Sequence, residues 1–267
     1  MVRFLFETKT QGSKRGVKQT LLHISDLHLF GDKQKKGYKD VAPLLTFERV
    51  LVHAMANTET IDGLIVTGDI TGDNTHASYQ HFVSVIQALP PIPVWVIPGN
   101  HDNNQYYANA LHPYHLSYEE PARLGRWCLH GLDTRQTGTR GVARVAARRR
   151  ISKNIDASPH HFHVVALHHH VLPSNSWMDK HELINADAFV KWIETHPQLR
   201  AVLHGHVHSP LRQVIGSNNC LSFGAPSTCW QWELTPDFNI SADAPGYQLF
   251  SLYDDGNLMC EVKRVDE

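Results

Sequence analysis

Between residues 21 and 102 the chain repeats one pattern three times: a short apolar run that ends in a polar cluster. Leu21-Leu22-His23-Ile24 leads into Asp26-Leu27-His28, Leu64-Ile65-Val66 into Gly68-Asp69, and Val94-Trp95-Val96-Ile97 into Gly99-Asn100-His101-Asp102. Between the runs, Leu44, Phe47, Leu51 and Met55 fall at helical spacing over residues 43–56. Tyr79, Phe82, Val83 and Ile86 do the same after a capping position at Asn74 or Thr75. Strand–helix–strand alternation implies parallel strands joined by helical crossovers. Open sheets of this kind place their sites just beyond the carboxyl ends of the strands. Three clusters far apart in sequence are therefore expected on one rim.

The second half continues the rhythm. Strands are expected at residues 127–132, 162–167 and 201–203, with a helix over about 182–195. The strand at 162–167 runs into His168-His169-His170, and the one at 201–203 into Gly205-His206-Val207-His208. Hairpin signals follow at Gly216-Ser217-Asn218 and Asp254-Asp255-Gly256-Asn257. The predicted fold class is α/β: a two-sheet β-sandwich core built from βαβ units, helices outside and a β-rich C-terminal third. Residues 1–19, basic and aperiodic from about Thr8, read as a tail or edge strand, and 20–267 as a single domain.

Asp26-x-His28 and His206-x-His208 each place two donors two residues apart, which in extended chain point to the same side. Carboxylate plus imidazole suits borderline divalent metals such as Mn, Fe or Zn. A lone Asp69 beside Gly68 can bridge two ions, and Asn100 adds a neutral carbonyl oxygen. Two ions ~3.5–4 Å apart can clamp the attacking and leaving oxygens of a phosphoryl group. Each element alone has a structural explanation: Gly68-Asp69 as a turn, Gly99-Asn100 as a loop, the three histidines as a strand end with core imidazoles. The order in which they occur, each after an apolar strand, is what points to metal.

Composition excludes other classes. Lys plus Arg (25) nearly cancels Asp plus Glu (26), so no global charge draws the chain to nucleic acid or an anionic membrane. No stretch approaches the ~20 apolar residues of a membrane span, and the apolar run at residues 4–6 is too short for a signal peptide core. The four cysteines form no C-x-x-C pair, which fits free thiols in a reducing cytoplasm and argues against zinc-structured nucleic-acid binding.

The ordered set D-x-H, G-D, G-N-H-D, a post-strand His and G-H-x-H resembles the calcineurin-like metallophosphoesterases, from about Leu21 to the C-terminus. Within them the chain is similar to the bacterial class III cyclic-nucleotide phosphodiesterases, through residues 167–173, Ser176-Trp177-Met178-Asp179, Ala225-Pro226-Ser227-Thr228-Cys229 and Ala244-Pro245-Gly246-Tyr247. The resemblance implies one ion on Asp26, His28, Asp69 and His208. It implies a second on Asp69, Asn100, His168 and His206, with His169 as the alternative to His168. Fe and/or Mn are expected, with Zn or Mg as alternatives. His101 is implied to be the catalytic, non-ligand histidine; His28, Asp69, Asn100, His101 and His208 would contact the bound phosphate.

The implied activity is hydrolysis of 3′,5′-cyclic AMP to 5′-AMP by a hydroxide bridging the ions, in a cytoplasmic monomer or homodimer with a small-molecule partner. One rival keeps the scaffold but acts on glycerophosphodiesters or nucleotide-sugar pyrophosphates. The other is a non-catalytic interaction module with this fold, against which the intact ligand positions argue. One departure from the family is an arginine run between Asp133 and Asp156 (Arg135, Arg140, Arg144, Arg148, Arg149, Arg150). It reads as a solvated helix face, the alternative being an anion-attracting patch. His23, His160, His161, His163 and His204 read as structural, and Trp177 as packing, pocket wall or subunit contact.

Overall fold

The computed structural model describes residues 16–266. The chain runs β1 (Lys18–Ile24), α1 (Pro43–Ala56), β2 (Gly63–Val66), α2 (His76–Gln87), β3 (Val94–Val96) and α3 (Tyr106–Leu111). It continues through β4 (Ala122–Leu124), β5 (Trp127–Gly131), α4 (Val145–Asp156), β6 (Phe162–Ala166) and α5 (Ala186–Glu194). It closes with β7 (Leu199–His204), β8 (Leu211–Ile215), β9 (Cys220–Gly224), β10 (Gly246–Tyr253) and β11 (Leu258–Arg264). One sheet has the order β11-β10-β1-β2-β3 and the other β4-β5-β6-β7-β9-β8. β1, β2 and β3 are mutually parallel, as are β5, β6, β7 and β9.

Side-chain alternation sorts these strands into layers. Leu21 and Ile65 join Trp127, Leu129, Val164, Leu203 and Phe250 in a core between the sheets. Their neighbours Leu22, Leu64 and Val66 pack instead against Phe47, Leu51, Tyr79 and Phe82 of α1 and α2. On the far side Val165 and Val202 meet Ile151 and Ile155 of α4 and Phe189 and Ile193 of α5. A strand buried on both faces has no polar side to show, which is why these runs are continuously apolar.

Three expectations need adjustment. Lys18 and Gln19, read as part of a tail or edge strand, pair with Tyr253 and Leu252 inside β1, a central strand; residues 1–15 lie outside the described residues. The helix expected from about residue 182 begins at Ala186. Leu183 bridges Gly141 in strand fashion, and the Asn185 amide exchanges two hydrogen bonds with the Ala143 backbone (2.9 and 2.8 Å), so tertiary pairing holds this stretch extended. Of the arginine run, expected as one helix face, only Arg148, Arg149 and Arg150 lie on α4, whose inner face buries Ala147, Ile151 and Ile155; Arg135, Arg140 and Arg144 precede the helix. Several of its guanidinium groups are tied to neighbouring groups: Arg148 donates to the Ala188 carbonyl (2.7 Å), Arg150 pairs with Glu119 (3.0 Å) and Arg135 with Asp133 (2.8 Å).

Candidate metal centre

The parallel strands β1, β2, β3, β6 and β7 all end at one rim, and each delivers a polar side chain just past its last residue. The backbone there is not extended. Asp26 (φ 55°), His28 (φ 48°), Asp69 (φ 52°), His206 (φ 71°) and His208 (φ 44°) all occupy the left-handed region. The two-residue spacing of the D-x-H and H-x-H pairs thus works through paired left-handed turns, not through strand alternation. Non-glycine residues adopt this conformation at a cost, and such strain concentrates at functional sites. The G-N-H-D segment forms one 3₁₀ turn (Asn100–Asp102), in which successive side chains diverge by about a third of a revolution.

All seven sequence-predicted ligand positions meet here. Asp26, His28 and His208 form one group: His28 Nε2 lies 3.0 Å from His208 Nε2, which lies 3.4 Å from Asp26 Oδ1. Asp69, His168 and His206 form a second: His168 Nε2 is 3.3 Å from Asp69 Oδ2 and 3.2 Å from His206 Nδ1. Asn100 Oδ1 joins it, 3.1 Å from His168 Nε2. Asp69 Oδ2 also lies 3.8 Å from His28 Nε2, so this carboxylate faces both groups. His101 forms a third, overlapping group with His28 and Asp69, its ring edge-on to His28 with centroids 4.8 Å apart. His169 points elsewhere, with Nδ1 2.7 Å from Thr134 Oγ1.

The outer nitrogens of three imidazoles are held by carbonyls, which can only accept. His168 Nδ1 donates to the Thr67 carbonyl (2.7 Å), His206 Nε2 to His181 (3.0 Å) and His208 Nδ1 to Trp230 (2.9 Å). The remaining nitrogen of each faces the centre and, when unprotonated, offers a lone pair there, the arrangement by which proteins orient metal-binding histidines. Lone pairs 3.2 Å apart repel unless a proton or cation lies between them.

The charges say the same. Burial would raise the Asp26 carboxyl, yet His208 and His168 hold it below the ordinary value; burial would raise Asp69 too, and His168 and His101 hold it well below. Burial pushes His28 down to about 3 and holds His206 well below the usual imidazole value. Burial also works against His168, but Asp69 and Asp26 raise it to about 9. Two buried carboxylates thus demand positive charge at this point. The donor set, two carboxylates, one amide oxygen and four imidazoles, fits a pair of borderline divalent ions.

Sequence reasoning gave no role to Asp102, the last residue of the third motif. Its buried carboxylate accepts from the amides of Gly99 (2.8 Å), Ile70 (3.2 Å) and Thr71 (3.3 Å) and from the Tyr79 hydroxyl (2.9 Å). It clamps the Asp69 loop to the Asn100 loop. Gly99 allows the approach, because a Cβ there would overlap the Asp69 backbone and carboxylate. Asp102→Ala leaves three buried amides without their acceptor and should cost ~3 kcal/mol or more of unfolding free energy. Equilibrium denaturation checks this; a loss under ~1 kcal/mol would show that the loops hold without the clamp.

The calcineurin-like phosphoesterase family model matches residues 19–210. The chain is 30% identical over 249 residues to the 3′,5′-cyclic adenosine monophosphate phosphodiesterase CpdA of Vibrio vulnificus, covering 92% of this chain and 89% of that one. It is 32% identical over 251 residues to CpdA of Pseudomonas aeruginosa, covering 92% and 90%. Among solved structures it resembles a dimetal phosphatase from Danio rerio (TM-score 0.60, 12% identity, 93% and 99% covered). It also resembles a purple acid phosphatase from yellow lupin (TM-score 0.65, 13% identity, 94% and 52% covered). At such identities the structural matches speak to the fold.

Proposed function

This chain belongs to the calcineurin-like phosphoesterase family, and we propose that it hydrolyses 3′,5′-cyclic AMP to 5′-AMP at a two-metal centre. The observation that carries this is the convergence of three carbonyl-anchored imidazole lone pairs on two buried carboxylates, in a chain about 30% identical to CpdA enzymes over nearly its whole length. Asp26, His28, Asp69 and His208 would hold one ion, and Asp69, Asn100, His168 and His206 the other. Mn or Fe suits this mixed nitrogen and oxygen set, with Zn or Mg as alternatives. Bound there, the ions supply an activated water at neutral pH and positive charge against the phosphoryl oxygens.

The chain's own residues do the rest. Hydrolysis forms a P–O bond from water and breaks the P–O3′ bond, and the departing 3′ oxygen must take a proton. His101, whose ring stands edge-on to His28, would give that proton. His28, Asp69, Asn100 and His208 would fix the phosphate between them.

The four cysteines are free and buried, which supports a reducing compartment, the cytoplasm. Among the described residues no helix is long and apolar enough to cross a membrane. The test is a turnover panel on metal-stripped protein reloaded with Mn²⁺: cyclic AMP, cyclic GMP, bis(p-nitrophenyl) phosphate and 5′-AMP. Cyclic AMP should be turned over fastest among the nucleotides. Faster release of phosphate from 5′-AMP than cleavage of any diester would overturn the assignment.

A further inference from the structure

Beside the metal centre stands an aromatic wall that phosphate chemistry does not require. The Trp230 ring lies nearly parallel to His28 (5.3 Å, 22°) and the Trp232 ring nearly parallel to His208 (4.5 Å, 22°). Tyr38 meets both indoles edge-on (5.3 Å, 74° and 5.5 Å, 80°). Phe238 lies 5.6 Å from Trp232, 4.9 Å from Trp177 and 6.1 Å from Tyr38. These five rings come from three loops, those after β1, β6 and β9. Trp177 locks two of the loops together, its backbone N–H donating to the Thr235 carbonyl (2.9 Å) and its indole N–H to Glu233 (3.2 Å).

Trp230 is covered at 7% exposed and Trp177 and Trp232 are partly buried, whereas Tyr38 is 48% and Phe238 51% exposed. Tyr38 is also held in place at a cost. The next two residues, Lys39 (φ 53°) and Asp40 (φ 56°), both sit in the left-handed region, which non-glycine side chains rarely adopt. Gly37 lies against the Trp230 indole so closely that a Cβ would overlap its ring. Lys39 Nζ reaches across to donate to the Ser241 carbonyl (2.9 Å). Local sequence preference does not put a tyrosine there; the loop is bent to present it.

We propose that Tyr38 and Phe238 form a base-stacking subsite that receives the purine of the substrate while its phosphate sits at the metal centre. This rests on the cyclic-nucleotide reading above and deepens it: the residues that choose the base are aromatic and lie outside the phosphate-binding set. The wall is continuous ring by ring with His28 and His208, so it adjoins the place where the phosphate would be anchored. Two half-exposed rings fall well short of the ~800 Å² per partner that a stable protein interface covers, which favours a small flat ligand over a second chain. Stacking is the interaction an aromatic platform offers any base, and a purine presents more face than a pyrimidine.

The experiment uses the Mn²⁺-loaded full chain, with Tyr38→Ala, Phe238→Ala and Tyr38→Phe. Each is assayed on cyclic AMP, on cyclic CMP and on ribose 3′,5′-cyclic phosphate without a base. Both alanine variants should raise KM for cyclic AMP by roughly five- to a hundredfold, the size of one lost base stack. The increase for cyclic CMP should be smaller, and KM for the base-less substrate and kcat for all three should hold within about twofold. Tyr38→Phe should behave as wild type, since the ring and not the hydroxyl is used. Unchanged KM for cyclic AMP in both alanine variants overturns the subsite, as does an equal rise for the base-less substrate. Wild-type protein that cleaves the base-less diester but not cyclic AMP overturns the cyclic-nucleotide reading itself, and the subsite with it.

Discussion

Asp69→Ala should abolish turnover and leave at most one metal ion per chain. Asp69 Oδ2 faces both donor groups, 3.3 Å from His168 and 3.8 Å from His28, and comes nearer to His168 than Asp26 Oδ1 does at 4.0 Å. Without it the second group keeps only His168, His206 and the Asn100 amide as donors, and the nearest remaining carboxylate is Asp26, 4.0 Å from His168. Losing even an outer-shell partner of a metal ligand typically costs ~10–100-fold in affinity or activity, so losing a bridging carboxylate should cost at least the upper end. Asp69→Asn is the control for geometry. Its amide oxygen can still accept from the His101 backbone N–H, as Asp69 Oδ1 does at 2.9 Å, so the loop should stay in place while the charge is gone. Both variants should fall together in metal content by elemental analysis and in diester turnover. Wild-type activity in either one, or in chelator-treated protein, would remove the two-metal centre from the mechanism.

The fold and the candidate ligands were legible in the sequence for one physical reason. A strand buried on both faces has to be continuously apolar, so the residues that break each run stand out at its end. Leu64-Ile65-Val66 before Gly68-Asp69 is the clearest example, with all of β2 buried. What positions those ligands was less legible. The carbonyls of Thr67, His181 and Trp230 fix the tautomers of three imidazoles, and a backbone carbonyl is present on every residue whatever its side chain. The left-handed conformations at Asp26, His28, Asp69, His206 and His208 were hidden for a related reason. Glycine announces such a backbone, whereas these residues are held in it by tertiary contacts; the His206 amide, for example, donates to both Asp26 carboxylate oxygens (3.1 and 3.0 Å). Tyr38, Trp177 and Trp232 come from loops without periodicity and up to 194 positions apart, so only the folded chain assembles the aromatic wall. Of these, only Trp177 stands out in the sequence, with three readings open; in the structure it packs edge-on against Phe238 and Trp232.

His101→Ala should lower kcat on cyclic AMP by ~10²–10⁴ while both metal ions stay bound, the loss expected when a general acid is removed. The structure gives a reason to expect that separation. His101 meets the centre through its ring, which stands beside His28 and Asp69, and through its backbone N–H on Asp69 Oδ1. Alanine removes only the first, so the clamp on the proposed bridging carboxylate survives, as does the Asp102 bond to the Gly99 amide at the start of the same turn. The penalty should also depend on what leaves. A ribose 3′ alkoxide is strongly basic and needs a proton as the P–O3′ bond breaks; p-nitrophenolate departs without one. On bis(p-nitrophenyl) phosphate the same variant should therefore lose far less than on cyclic AMP. Metal content and both rates are to be measured on one preparation. Loss of metal along with activity would make His101 a ligand, and equal losses on the two substrates would leave it steadying the phosphate without moving a proton.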